Sequence, residues 1–260
     1  MSTFLFDEII FGPVKSRRLG VSLGINLLPV DRKLCNFNCI YCECGWTRKE
    51  EIRGAVLPAR GEVFAALGEK LRSMKNAGQA PDVITYAGNG EPTMHPDFPG
   101  IIDDSIELRD RFFPEAKIAV LSNATSITKP AIKEALLKVD SNILKLDSAI
   151  DGTIMVHNQP SLNIKAEELI KNLAKFEGRL IIQTLFLRGT FMGKVIDNAT
   201  TAELEAWLKA LETIKPAEVM IYTISRDTPE GGNLKKVPVD ELNKIAAMVK
   251  RLGIKTQVSG

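Results

Sequence analysis

Histidine is almost missing from this chain: His95 and His157 are the only two in 260 residues. That scarcity argues against a multi-histidine metal centre and gives little support to a Ser-His-Asp engine. His95 is expected in a turn before a helix and His157 in a connection after a strand. Cysteine is nearly as scarce, and all four lie between Asp31 and Thr47, in DRKLCNFNCIYCECGWT. Cysteines crowded into about ten residues make poor long-range staples, so a disulfide framework is not expected. Long apolar runs are missing too, since no stretch of about eighteen such residues occurs. The opening MSTFLFDEIIFGPVKSRR carries acids within its apolar part and lacks the order of a signal peptide. No membrane association is expected, and a cytoplasmic location is, where thiols stay reduced. Charge of one sign is not in excess: 34 basic and 32 acidic side chains leave a net +2, which does not by itself call for nucleic acid. Low-complexity tracts, linkers and exact repeats are absent, so one domain over 1–260 is expected.

What is present is an ordinary globular composition, 45% hydrophobic and 25% charged, with enough chain for one large core. Its most informative stretch is the cysteine loop, 31–47. Cys35, Cys39 and Cys42 are spaced C-x-x-x-C-x-x-C, with Gly45, Asn36 and Asn38 giving the loop freedom to wrap. A cubane iron–sulfur cluster needs four ligands, so three cysteines leave one iron open for something that is not protein. Structural zinc is the rival reading, although zinc sites usually show two ligand arms far apart and no second arm exists here. Only Glu43 separates Cys44 from Cys42. As a fourth ligand Cys44 would close the open iron; otherwise it is a small residue in a packed loop, or a thiol near a substrate.

With Tyr41 before the third cysteine, the motif C-x-x-x-C-x-aromatic-C resembles the signature of the radical S-adenosylmethionine (SAM) superfamily. The resemblance implies a [4Fe-4S] cluster on Cys35, Cys39 and Cys42, with Tyr41 beside the cofactor. It implies SAM chelating the open iron and reductive cleavage to a 5′-deoxyadenosyl radical that takes a hydrogen atom from a substrate. A flavodoxin- or ferredoxin-type reductase is the electron donor so implied. FGPVKSRRLG and GVSLGINLLPV are similar to the opening of one subgroup, the tRNA wyosine synthase-like Fe–S oxidoreductases.

Gly20–Val30 is an apolar, β-rich run ended by Pro29 and reads as a first strand, the N-terminal segment and this strand occupying 1–30. Over 61–252 helices and strands alternate with a period of roughly 30 to 35 residues, the mark of parallel strands joined by helical crossovers. Helices are expected at 62–77, 97–112, 130–139, 166–176, 201–214 and 239–252, and further strands at 82–87, 117–122, 141–147, 179–187 and 218–224. Six βα units result, which matches the α/β fold implied by the resemblance, a partial (β/α)6 TIM-type barrel of parallel strands.

In such barrels the chemistry sits at the carboxyl ends of the strands. The second strand runs into Gly88-Asn89-Gly90-Glu91-Pro92-Thr93, where glycines admit a close approach and a carboxylate can take an ammonium group. This is similar to the superfamily's GGEP-type motif for the SAM amino group, with Asn89 between the glycines. The third strand ends in Leu121-Ser122-Asn123-Ala124-Thr125, of which Ser122 and Asn123 are SAM contacts by resemblance. Lys145 and Asp147, two apart on the fourth strand, share a face; resemblance puts Asp147 and Ser148 near the SAM ribose, a structural ion pair being the other reading. Gln183 and Arg188 belong to the fifth unit, and Tyr222, Thr223 and Arg226 to the sixth. Tyr222 and Thr223 are candidate adenine contacts by resemblance. Arg188 and Arg226 are candidates to hold an anionic substrate or the methionine carboxylate, or else are rim salt bridges. Arg188 and Cys44 are the candidates for a catalytic role.

Lys15, Arg17, Arg18, Arg32, Lys33, Arg48 and Lys49 flank the cysteine loop, either as a basic rim for an anionic substrate or RNA or as a solvated surface. Wyosine synthases carry a second cluster on further cysteines, and this chain has none to spare, which argues against wyosine synthesis itself. The cysteine-rich carboxy-terminal extension of many peptide-modifying relatives is likewise not expected. A small barrel without a lid implies either a large substrate, RNA or protein, that covers the open side, or a small molecule sealed by the termini. A tRNA nucleoside leads by subgroup; activation of a glycyl-radical enzyme is the enzymatic alternative, and a zinc or electron-transfer module the non-enzymatic one.

Overall fold

The structure, a computed structural model, describes residues 4–16, 18–52, 54–226, 228 and 233–260, with only the backbone at positions 49 and 51. In chain order the elements are β1 (Ile10–Ser16), β2 (Gly20–Ile25), α1 (Lys49–Ile52), α2 (Arg60–Asn76), β3 (Val83–Tyr86), α3 (Phe98–Phe112), β4 (Lys117–Ser122), α4 (Pro130–Lys138), β5 (Ser141–Lys145), α5 (Asp151–His157), α6 (Ala166–Ala174), β6 (Ile181–Phe191), β7 (Lys194–Asp197), α7 (Thr201–Ile214), β8 (Glu218–Thr223), β9 (Leu234–Lys236), α8 (Val239–Arg251) and β10 (Lys255–Ser259). Local chemistry sets several helix starts. The Glu62 carboxylate accepts the Ala59 N–H at 2.7 Å ahead of α2, and the Thr200 hydroxyl accepts the Glu203 N–H at 3.4 Å at the head of α7. Pro130 opens α4, where its missing N–H costs nothing.

The strands pair in the order β1-β2-β3-β4-β5-β6-β8-β10, and every neighbouring pair from β2 onward is parallel. Only β1 runs antiparallel on this path, against β2. Side chains alternate across the sheet. Leu23, Ile84, Tyr86, Val120, Ile182 and Ile221 point outward into the main core, where Leu67, Leu71, Phe98 and Trp207 of the helices meet them. Val83, Ala119, Ile143 and Met220 point inward into a smaller cluster at the barrel's base. A third cluster joins Phe37, Ile40 and Tyr41 of the cysteine loop to Leu185, Leu187 and Phe191. The loop is thereby anchored over the carboxyl ends of the strands, the end at which the candidate residues gather.

All six expected βα units are present, so the chain is an α/β protein of the partial-barrel type. Boundaries move by a few residues, and four strands lie outside the expected set. The seventh parallel strand, β10, is short and polar but for Val258, and its place follows from pairing with β8 rather than from an apolar run. β6 runs past Leu187 because Met192 (φ 49°) and Gly193 (φ 75°) fold it back on β7 in a two-residue turn. His157 lies, as expected, in the connection after the fourth of the expected strands, where it ends α5 and is buried. Among the described residues, no helix is long and apolar enough to cross a membrane.

Candidate functional site

The cysteine loop and the GxGEPT stretch are joined backbone to backbone. Leu34 N–H donates to Asn89 O at 2.8 Å, and Glu91 N–H donates to Leu34 O at 3.1 Å. Gly90 (φ 143°) is needed at this crossing, since a Cβ there would lie 1.8 Å from the Leu34 carbonyl oxygen. Gly88 is packed as closely: its Cβ would meet the Asn26 side chain at 2.4 Å. Both glycines therefore accommodate the chain's own atoms while bordering the cavity above the strands. That cavity, about 150 Å3, is lined by Cys35, Cys39, Cys42, Cys44 and Tyr41 from the loop, and by Gly88, Gly90 and Glu91 from the end of β3. Ser122, Asn123, Lys145 and Gln183 complete it from β4, β5 and β6.

Glu91 is 2% exposed. Its carboxylate accepts from the Thr93 hydroxyl at 2.6 Å and backbone at 3.1 Å, the Ser122 hydroxyl at 2.8 Å and the Asn123 N–H at 2.6 Å. Burial raises its pKa despite these donors, so a cation entering the cavity would be welcome beside it. Asn123 donates to Asn36 Oδ1 at 2.6 Å and lies 3.7 Å from the Cys35 sulfur, tying β4 to the loop.

The thiols differ in surroundings. Burial pushes Cys35 up to about 12 and raises Cys39. The close Cys42–Cys44 pair shares one charge, which lowers the Cys42 thiol and raises that of Cys44, whose Sγ donates to Gly88 O at 3.5 Å. Asn158 Nδ2 donates to the Cys39 sulfur at 3.4 Å. Lys33, grouped by sequence with a basic flank, is 3% exposed and donates to Gly45 O at 2.9 Å. Burial lowers its pKa, but the neighbouring Cys42, Cys35 and Cys39 outweigh that and leave it raised. Sequence reasoning missed this residue.

Lys145 and Asp147 both face inward. Lys145 Nζ donates to the Tyr41 hydroxyl at 2.9 Å and lies 3.5 Å from Asp147 Oδ2. The Tyr41 hydroxyl donates to Asp147, as does Asn158 Nδ2 at 2.7 Å and Leu185 N–H at 3.0 Å. Burial would lower the Lys145 pKa, but Asp147 more than offsets it and holds the amine protonated. Asp147 sits behind Tyr41 in this network and does not border the cavity.

Several other expected contacts are engaged elsewhere. Asn89 is fully buried, bonding Phe6 from both ends of its amide and Pro29 O at 2.8 Å. Ser148 donates to Glu203 at 2.6 Å and accepts the Ile150 N–H. Thr223 lies on the outer face of β8 with Val219 and Ile221, and its hydroxyl donates to Phe186 O at 2.8 Å. Tyr222, on the inner face, lies under the Arg18 guanidinium, 4.5 Å from ring centroid to Cζ. Arg188 is held by Glu241 through both terminal nitrogens and by Asp197 at 2.7 Å, and Arg226 pairs with Glu43 at 2.8 Å. Both are salt bridges of the rim. His95 is held in its turn by Pro58 O at 2.9 Å and the Asp97 N–H at 3.1 Å. Of the basic flank, Arg17 and the side chain of Lys49 lie outside the described residues.

The donor set suits a polynuclear cluster. Three sulfurs line one cavity beside a buried ammonium and amide N–H donors. Among the described residues, no three His, Cys, Asp or Glu side chains converge tightly enough for a single metal ion. Three thiols on one loop suit a cubane, which leaves one iron to a ligand that is not protein.

Several solved structures share this architecture. A radical SAM methyltransferase from Sphaerobacter thermophilus aligns with a TM-score of 0.66 at 15% identity, over 92% of this chain and 65% of that one. SuiB of Streptococcus suis aligns at 0.62 bound to precursor peptide SuiA and at 0.60 bound to S-adenosylmethionine, at 16% and 15% identity. These alignments cover 91% and 92% of this chain, and 48% and 47% of SuiB. The fold is thus that of radical SAM enzymes. Over 240 residues the chain is 32% identical to a UPF0026 protein of Helicobacter pylori, covering 91% of this chain and 72% of that protein, and it belongs to the UPF0026 family. It is also 32% identical over 219 residues, 84% of its length, to a Brachyspira hyodysenteriae protein named GTPase Obg, of which it spans 30%. No family model matches the chain.

Proposed function

We propose that this chain is a radical SAM enzyme, holding one [4Fe-4S] cluster with Cys35, Cys39 and Cys42 and binding SAM against Glu91, Ser122 and Asn123. The observation that carries the reading is the single cavity shared by the three thiols and the carboxylate that ends β3. When bound, the cluster and SAM supply a 5′-deoxyadenosyl radical able to take a hydrogen atom from a substrate.

The residues prepare the site for that pair. The Glu91 carboxylate, buried and held by four donors, complements the SAM ammonium. Lys33 offsets the negative charge of the sulfur ligands from within the protein. Lys145 presents a further cation to the cavity, fixed by Tyr41 and Asp147, in the role that the sequence offered to Arg188 and Arg226. Electrons come from a flavodoxin- or ferredoxin-type donor in this reading, and a tRNA nucleoside is the substrate precedent of the subgroup it resembles.

Anaerobic reconstitution with iron and sulfide, then dithionite and SAM, tests the proposal. The expected product is 5′-deoxyadenosine, identified by mass spectrometry and lost in Cys39→Ala. Stoichiometric zinc without iron after anaerobic purification would sink it.

A further inference from the structure

Beside the cysteine-lined cavity, and sharing Leu121 with it as a wall, lies a second, half-open cavity of about 320 Å3. Its floor is the inner face of the sheet: Ser22, Gly24, Thr85, Ala87 and Leu121. Small side chains at these positions create the space, with the Ser22 and Thr85 hydroxyls bonded to each other at 2.8 Å. Its roof is aromatic. Phe6 and Phe11 stack with centroids 3.6 Å apart, Phe4 meets Phe6 edge-on at 4.9 Å, and Phe11 lies over Gly24, where any Cβ would strike the ring.

The N-terminal segment that carries this roof is tied down at two points. Phe4 N–H donates to Glu43 O at 3.0 Å, and Phe6 exchanges hydrogen bonds of 2.9 and 2.8 Å with the Asn89 amide.

The cavity's charges are unequal. Arg226 and Glu43 satisfy each other at 2.8 Å, while Arg18 and Lys15 have no carboxylate partner among the described residues. Arg18 is oriented by neutral groups: it lies over the Tyr222 ring and donates to Gln183 Oε1 at 3.2 Å. Its backbone carbonyl accepts from Gln257 at 2.9 Å. Gln183 in turn lines the cysteine cavity, so this guanidinium is pre-positioned one residue from the candidate cofactor site. A fixed, unneutralised guanidinium favours a carboxylate or phosphate, and an aromatic roof favours a flat apolar body.

We propose that this second cavity is the substrate site, and that the substrate is a small molecule joining one planar ring to one anionic group. The assignment rests on the SAM-dependent reading above. A volume of about 320 Å3 lies at the lower end of the range for small-molecule pockets.

Anaerobic calorimetry on the cluster-loaded protein tests it, with phenyl phosphate, phenylacetate, benzyl alcohol and inorganic phosphate as probes. One of the two aromatic anions is expected to saturate a single site at least tenfold more tightly than benzyl alcohol or inorganic phosphate. Arg18→Gln should weaken that binding at least tenfold, and Arg18→Lys should recover only part of it, keeping the charge but losing the planar fork and its seat on Tyr222. Ala87→Leu, which fills the space from the floor, should abolish it while leaving the thermal midpoint within a few degrees. Failure of both aromatic anions to saturate, or equal binding by wild type and Arg18→Gln, would overturn the proposal. So would tRNA binding that neither anion displaces. SAM cleavage assayed on the same sample separates the two levels: cleavage without anion binding removes the substrate class alone, and Arg18-dependent binding without cleavage removes the radical chemistry and keeps the cavity's specificity.

Discussion

Asn89 holds Phe6 by both ends of its amide: Oδ1 accepts the Phe6 N–H at 2.9 Å, and Nδ2 donates to the Phe6 carbonyl at 2.8 Å. A side chain that interrupts a pair of glycines is thus the clasp between the GxGEPT stretch and the N-terminal segment. A third bond, to Pro29 O, adds the end of the first strand's run.

Replacing Asn89 with alanine removes three hydrogen bonds, one buried and two part-buried, and leaves the Pro29 carbonyl without this partner. Stability should fall by about 2–4 kcal/mol, measured by urea unfolding. Hydrogen exchange should rise across residues 4–9 before it rises elsewhere. Exchange unchanged there would show that the clasp does not hold the segment.

Lys33→Met tests the buried ammonium among the thiols. A unit charge several ångströms away through an effective dielectric of about 20 is worth roughly 2–4 kcal/mol, which for one electron is on the order of 100 mV. The reduction potential of the reconstituted cluster should therefore drop by about that amount in a redox titration followed by electron paramagnetic resonance. An unchanged potential would place Lys33 among purely structural residues.

Asp147→Ala strands the Lys145 ammonium and removes the acceptor for Asn158 and Leu185. Breaking a buried pair on one side should cost about 3–5 kcal/mol. Adding Lys145→Met should recover part of the loss, giving a coupling of roughly 1–3 kcal/mol in a double-mutant cycle. Strict additivity would refute the ion-pair account.

His157 is 1% exposed, with neither ring nitrogen bonded. Burial lowers its pKa to about 4 from 6.5, so between those values the unfolded chain takes up a proton that the folded chain refuses. Its contribution is therefore lost as pH falls from 6.5 towards 4, by roughly 3 kcal/mol in total. His157→Phe should retain that much more stability than wild type at the acid end, read from urea midpoints at a series of pH values. Parallel acid limbs for the two proteins would contradict it.

What the chain disclosed in advance was mostly local. The thiols, the glycine pair and Glu91 lie within short motifs whose chemistry can be read in place, and the six βα units follow from apolar periodicity. Lys33 was hidden because it follows Arg32 in a run that reads as surface, and its burial depends on the bridge between Leu34 and Gly90. Arg188 and Arg226 could not be assigned because their carboxylate partners stand far away, at Glu241 and Glu43. Thr223 is a different case: counting by twos from Val219 already puts it on the outer face. Arg18 needed the whole barrel, since Tyr222, Gln183 and Gln257 come from three different strands.

The crossing of Leu34 and Gly90 has a bearing on protein engineering. With a carbonyl oxygen where any side chain at position 90 would begin, the cysteine segment cannot be moved without the turn at 88–91, nor without residues 157–161, which bond its backbone from the other side. A graft of the cysteine segment alone into another scaffold would arrive without the backbone that gives it shape.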